Sequence, residues 1–249
     1  MCNLYTPVDT RRLMAQFGAA AIAQVWGSYV APLKFGPYVK QGGVAVAGQW
    51  ALIPMDSPTR IPQNKQGRRL STNNARRESM TTSWTYGLPW RNGQRCLIPA
   101  EAFEEPYYPE LATKSIAWRF ARADGQAWAL AGLWAEWLDP ETGEIVPSYT
   151  MITQNCDAHP LLKLMHKPER DPQGQLLPVD KQDKRAVVPL EREVWDEWLH
   201  GTPDQADSLI KLPAPELFRH GSVNPHKNIR LPGEAVLGQI PPDESELLF

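Results

Sequence analysis

The sequence lacks most of what would tie a chain to an oxidising compartment or a membrane. Its three cysteines, Cys2, Cys96 and Cys156, form no Cys-x-x-Cys pair. An odd count at wide spacing is a poor disulfide framework, so a reducing, cytoplasmic setting is expected. No basic stretch followed by an apolar run of roughly 7–15 residues opens the chain, and no signal peptide is expected. The longest apolar stretch, Ala127 to Ala135, is about half of a membrane span, so no membrane association is expected. An excess of one charge is also missing: 26 Lys+Arg against 28 Asp+Glu leave a net charge of −2. That excludes a globally basic coat, and any contact with nucleic acid must come from a local patch. Repeats at solenoid or propeller periods are absent as well.

What is present suits a folded domain. With 249 residues, 42% of them hydrophobic, the chain can bury roughly 70% of the surface exposed on unfolding without disulfide or metal. A single domain over residues 1–240 is expected, followed by an acidic, flexible tail at 241–249. Residues 7–18 place Leu13, Met14 and Phe17 at helical spacing, with Asp9 or Thr10 as N-cap and Gly18 as stop. Short segments rich in β-branched and aromatic residues follow: GVAVAGQWALIP, RCLIPAEAF, SIAWRFARADGQAWALAGLWAEW, SYTMITQ and RAVVPL. They read as strands, with Asp124-Gly125 as a turn. Helical spacing returns at 190–200, where Val194, Trp195, Trp198 and Leu199 share a face. Strands in runs, without regular βαβ alternation, give an α+β fold with a mostly antiparallel sheet. The polar, proline-bearing stretch 167–184 reads as a surface loop.

Four features carry chemistry. Removal of Met1 leaves Cys2 with a free α-amine beside its thiol, a 1,2-aminothiol. An α-amine titrates near 7.7–8.0, roughly two units or more below lysine, so part of it is neutral and nucleophilic at physiological pH. It forms a Schiff base with an aldehyde, and the thiol on the same residue then closes a thiazolidine. On position alone, a small apolar residue at a frayed end is the default reading. Residues 57–77 hold Arg60, Lys65, Arg68, Arg69, Arg76 and Arg77 and no acid, which suits phosphate contact or a solvated loop. The end of this segment, Asn74-Ala75-Arg76, reads as a polar turn. Strand alternation sends Phe103 and Glu105 to one face, where apolar surroundings would raise the Glu105 pKa and suit it to proton transfer. Finally, His166 is a candidate general acid or base, whereas a zinc site of Cys156, His159 and His166 lacks a fourth ligand at standard spacing. The ten tryptophans read as core, with room for a base-stacking member among them.

In order, the chain shows MCNLY, GQWALIP at 48–54, NNARRES at 73–79, RCLIPAEAFEEP at 95–106, AGLW at 131–134 and TMITQNCDAHPLLKLMHKP at 150–168. This ordered set resembles the SOS-response-associated peptidase (SRAP) family, from Cys2 through Trp198–Leu199. The resemblance implies a mixed α+β fold, a barrel-like sheet with flanking helices, that senses abasic sites in single-stranded DNA without a cofactor or metal. It implies that Cys2 forms a thiazolidine with the ring-opened deoxyribose. Asn74 would hydrogen-bond the sugar or the new linkage, and Arg76 would meet a phosphate. Glu105 and His166 would be the acid–base pair. Arg68, Arg69 and Arg77 would help position the backbone. The chain departs from the family in three places. Many members have an arginine where Leu4 stands, the glutamate segment reads Phe103-Glu104-Glu105-Pro106, and the arginine that usually follows the histidine closely corresponds to Arg185. Two other functions fit the same residues: an N-terminal-nucleophile cysteine hydrolase, and a non-covalent single-stranded nucleic-acid binder. A monomer is the simplest expectation.

Overall fold

The computed structural model describes residues 2–109, 113–224 and 231; the tail expected at 241–249 lies outside them. In chain order the elements are β1 (Leu4–Pro7), α1 (Thr10–Phe17), β2 (Phe35–Lys40), β3 (Val44–Trp50), β4 (Asn74–Arg76), α2 (Arg77–Met80), α3 (Gly87–Arg91), β5 (Arg95–Tyr107), β6 (Ile116–Arg122), β7 (Trp128–Leu138), β8 (Ile145–Asn155), β9 (Arg185–Val187), β10 (Pro189–Leu190), α4 (Trp195–His200), α5 (Pro203–Ser208) and β11 (Phe218–Ser222). Strands β2, β3, β8, β7 and β5 pair in a closed ring, which makes the barrel. The expected α+β, barrel-like and mostly antiparallel sheet is therefore present. Strand β8 makes the parallel contacts, to β3 and to β4, each across a long connection as parallel pairing requires.

Both faces of the central strands are buried, which is why they read as nearly continuous apolar runs. Along β7, Trp128 and Leu130 join one cluster with Ile98, Tyr149 and Met151. Ala129, Ala131 and Leu133 join another, packed by Leu13 and Phe17 of α1, Trp90 of α3 and Trp198 of α4. Inside the ring the hydroxyls of Tyr5 and Tyr149 lie 2.5 Å apart. Both press on Gly36, where a Cβ would overlap the two oxygens. Helix α1 begins and ends as its sequence demands: Asp9 accepts from the Arg12 N–H at 2.6 Å, and Gly18 closes it at φ 62°.

Strand β5 does two jobs along its length. Arg95–Ala100 pair with β7 in the barrel, while Ala102–Tyr107 leave the ring to pair with β6, and β1 lies on the opposite edge. The polar turn expected at Asn74-Ala75-Arg76 is instead β4, in register with Met151–Thr153. Its turn-forming asparagines find partners inside the protein, and Ala75 is fully buried, so tertiary contacts override local preference. The stretch 167–184 is largely irregular, as expected. The Gln182 side chain fastens it, accepting from the Glu169 N–H at 2.8 Å and donating to the Leu177 carbonyl at 2.6 Å.

Candidate active site around the second residue

Pairing of Leu4 with Glu104 carries the preceding residues along the outer end of β5. Cys2 is fully buried there, its Sγ 3.3 Å from the Leu4 carbonyl oxygen and 3.7 Å from that of Glu104. Its own carbonyl accepts hydrogen bonds from Asn74 Nδ2 at 2.7 Å and Asn73 Nδ2 at 3.3 Å. Both asparagines are buried. They are anchored in turn: Trp50 Nε1 donates to the Asn73 carbonyl at 2.8 Å and the Tyr86 hydroxyl to the Asn74 carbonyl at 3.2 Å. Asn74 Oδ1 is buried and meets no donor among the described residues, which leaves its acceptor capacity unused there.

Glu105 is buried, and its Oε2 lies 3.2 Å from His166 Nε2. The same nitrogen is 3.0 Å from the carbonyl oxygen of Arg185. A carbonyl only accepts, so Nε2 carries the hydrogen and donates it to Arg185, with Glu105 Oε2 close by. The His166 backbone sits at φ 64°, a conformation that L-residues avoid and that clusters at working sites. Three contacts impose it: the His166 N–H donates to the Pro106 carbonyl at 2.6 Å, the ring is held by Arg185, and Lys184 Nζ donates to the His166 carbonyl at 3.4 Å.

Burial pushes both members of this pair toward neutrality. The Glu105 carboxyl rises from 4.5 to about 7, and the His166 imidazole falls from 6.5 to about 4. Burial also drives the Cys2 thiol well above its ordinary range, and the Glu105 carboxylate pushes it the same way. Cys156 is raised to about 12 by burial first and Glu105 second, so it shares this neighbourhood.

Cys2, Asn74, Glu105 and His166, read separately from the sequence, thus meet in one place. The arginines do not all join them. Alternation along β4 puts Arg76 on the Asn74 face, where it is half exposed and paired with Asp183 at 3.0 Å. Arg77 faces the other way and is held by Asp207 at 2.7 Å and by the Ile210 carbonyl. Arg185 is buried between Asp183 and Glu78. Arg68 and Arg69 are exposed, and neither forms an ion pair among the described residues. Asn73, Lys184 and Asp183 escaped the sequence reading; the doubled asparagine was the sole visible signal. His159 has both ring nitrogens occupied by backbone, Nε2 with Pro213 and Nδ1 with the N–H groups of Leu161 and Leu162, so it is no zinc ligand. Trp50, Trp118, Trp128, Trp137 and Trp198 are core, whereas Trp84 is half exposed.

Among the described residues, no helix is long and apolar enough to cross a membrane. A curated relative, the abasic site processing protein HMCES of Xenopus tropicalis, is 34% identical over 128 residues, which cover 44% of this chain and 36% of that protein. The match therefore spans little more than a third of the relative's length. A protein structure from Bordetella bronchiseptica superposes with a TM-score of 0.75 at 28% identity, covering 89% of this chain and 99% of that one. Another from Bacteroides thetaiotaomicron gives 0.72 at 17% identity, over 90% and 93%, and shares the fold. The family model described as SOS response associated peptidase (SRAP) matches residues 1–226, and the chain belongs to that family.

Proposed function

We propose that this chain, with Met1 removed, captures the ring-opened sugar of an abasic site in single-stranded DNA and holds it as a thiazolidine on Cys2. The observation that carries the reading is the convergence of Asn74, Glu105 and His166 on the one residue able to present an α-amine and a thiol together. The name of the HMCES relative, an abasic site processing protein, points the same way.

The environment orders the steps. Burial keeps the thiol protonated, so the α-amine attacks first and adds to the aldehyde carbon to give a carbinolamine. Glu105, with a pKa of about 7, holds a proton to give to the departing hydroxyl, which leaves as water. The thiol then adds to the iminium carbon, whose nitrogen keeps its one hydrogen, while the thiol proton passes to the Glu105 carboxylate. One C–N and one C–S bond form, one water leaves, and Glu105 ends as it began. His166, with Nε2 3.2 Å from Glu105 Oε2, would serve the sugar oxygen during ring opening. Asn74 fixes the Cys2 carbonyl through Nδ2 and offers Oδ1 to a sugar hydroxyl.

Intact mass tests this directly. After incubation with a single-stranded oligonucleotide carrying one abasic site, the protein lacking Met1 should gain the oligonucleotide mass minus one water, without borohydride. A Cys2→Ala protein retains an α-amine and can form only an imine that needs borohydride to survive. The same stable adduct on Cys2→Ala would refute the mechanism. No adduct on a chain with a free Cys2 terminus would point instead to the hydrolase chemistry of an N-terminal nucleophile. Glu105→Gln should slow adduct formation about 10²–10⁴-fold, the usual contribution of a general acid–base group, while DNA binding is kept.

A further inference from the structure

We infer that Asp183 is a built-in phosphate surrogate: its carboxylate occupies Arg76 in the free protein and must be exchanged for a DNA phosphate when the strand binds. The inference rests on the function proposed above together with the family resemblance, which implies that Arg76 meets a phosphate. One Asp183 oxygen, Oδ2, lies 3.0 Å from Arg76 Nη1. The other, Oδ1, accepts from Arg185 Nε at 3.0 Å and Nη2 at 2.6 Å. Two guanidiniums thus share one anion through its two oxygens, as they would share the two non-bridging oxygens of a phosphodiester.

The two arginines differ in what they have besides Asp183. Arg185 is buried and also engages Glu78, with Nη1 2.6 Å from Glu78 Oε2, so it stays neutralised whatever Asp183 does. Arg76 has no second carboxylate within 4.0 Å among the described residues, and its side chain is 46% exposed against 40% for Asp183. An exposed pair of this kind is weak and open to competition by a strand that brings many phosphates at once. Its location fits such an exchange. Arg76 stands two residues beyond Asn74 on the same face of β4, roughly 7 Å along the strand, and Asn74 holds the Cys2 carbonyl. The backbone also shows that the carboxylate is aimed: Asp183 adopts φ 49°, a left-handed turn at the end of the 167–184 stretch that directs its side chain back over both guanidiniums.

The test is binding without chemistry, read by fluorescence anisotropy on a labelled single-stranded oligonucleotide with a tetrahydrofuran in place of one nucleotide. This analogue has no aldehyde and cannot crosslink. Asp183→Asn and Asp183→Gly both tolerate the left-handed backbone, and Glu78 remains to hold Arg185, so melting temperatures should confirm folded proteins. Both variants should bind about two- to five-fold tighter at low salt, the ratio equivalent to one exposed ion pair. The gain should shrink between about 50 and 200 mM salt and vanish in an Arg76→Gln background. Unchanged or weaker binding by folded Asp183 variants, with Arg76→Gln still weakening binding, would overturn the surrogate role and leave the phosphate contact standing. An Arg76→Gln protein that binds like the wild type would remove the contact itself and the inference with it.

Discussion

Substituting either member of the Glu105–His166 pair should expose a proton-linked contribution to stability that the intact pair conceals. Folding raises the Glu105 carboxyl from 4.5 to about 7 and lowers the His166 imidazole from 6.5 to about 4, burial being the leading cause of both. Between those ordinary values, 4.5 and 6.5, the folded pair holds one proton on Glu105 and the unfolded pair holds one on His166. Unfolding then takes up no net proton, and the pair adds almost no slope to stability against pH. In Glu105→Gln only the imidazole remains. Its contribution is complete above pH 6.5 and is lost by about 1.4 kcal/mol per unit as pH falls toward 4. In His166→Gln only the carboxyl remains. Its contribution is complete below pH 4.5 and is lost at a similar slope as pH rises toward 7. Over two pH units the variants should swing in opposite directions by about 3 kcal/mol, or roughly 6–12 °C in melting temperature for a domain of this size. Thermal melts followed by circular dichroism across this range, each variant referenced to wild type, measure it. Profiles of both variants running parallel to wild type would show that the two groups do not exchange a proton on folding, and the reasoning would fail.

Three other outcomes are expected. Asn74→Ala leaves the buried Cys2 carbonyl with Asn73 alone at 3.3 Å; urea melts should show a loss of about 1–3 kcal/mol, and adduct yield should fall because Cys2 is no longer held. Gly36→Ala drives a methyl into the Tyr5 and Tyr149 hydroxyls; a cost of about 1–3 kcal/mol is expected from overpacking, whereas a melt indistinguishable from wild type would mean the ring interior has slack. Cys96 and Cys156 are buried and free; iodoacetamide followed by peptide mass mapping should leave both unlabelled in the native protein and label both in denaturant.

The residues that gather around Cys2 were more legible in the sequence than the contacts that hold them. Glu105 was legible because strand alternation after the run Cys96–Pro99 assigns it to the face of Phe103, and both are buried. The long strands β5, β7 and β8 and helix α1 announce themselves through apolar density and caps. Strand β4 did not, because its signal is tertiary: Asn-Asn-Ala-Arg is turn-like until β8 and Cys2 supply partners. Strand β2 was hidden by Gly36 and Pro37, which weaken any local strand pattern although the barrel needs both the strand and the space. The ion-pair assignments of Arg76, Arg77 and Arg185 lie beyond a single sequence. Their acids, Asp183, Asp207 and Glu78, come from remote or irregular segments with no periodicity to mark them.

The pairing of β1 with β5 also sets a schedule for synthesis. Cys2 and Glu104, which touch in the folded protein, are 102 positions apart in sequence. At about 5–20 residues per second, translation needs roughly 5–20 s to deliver the strand that will cover the N-terminal segment. Until then the first residues leave the ribosome with no sheet to join, open to the aminopeptidase on which the proposed chemistry depends. Afterwards Cys2 is fully enclosed. On the proposed chemistry, maturation and folding therefore act on the same few residues.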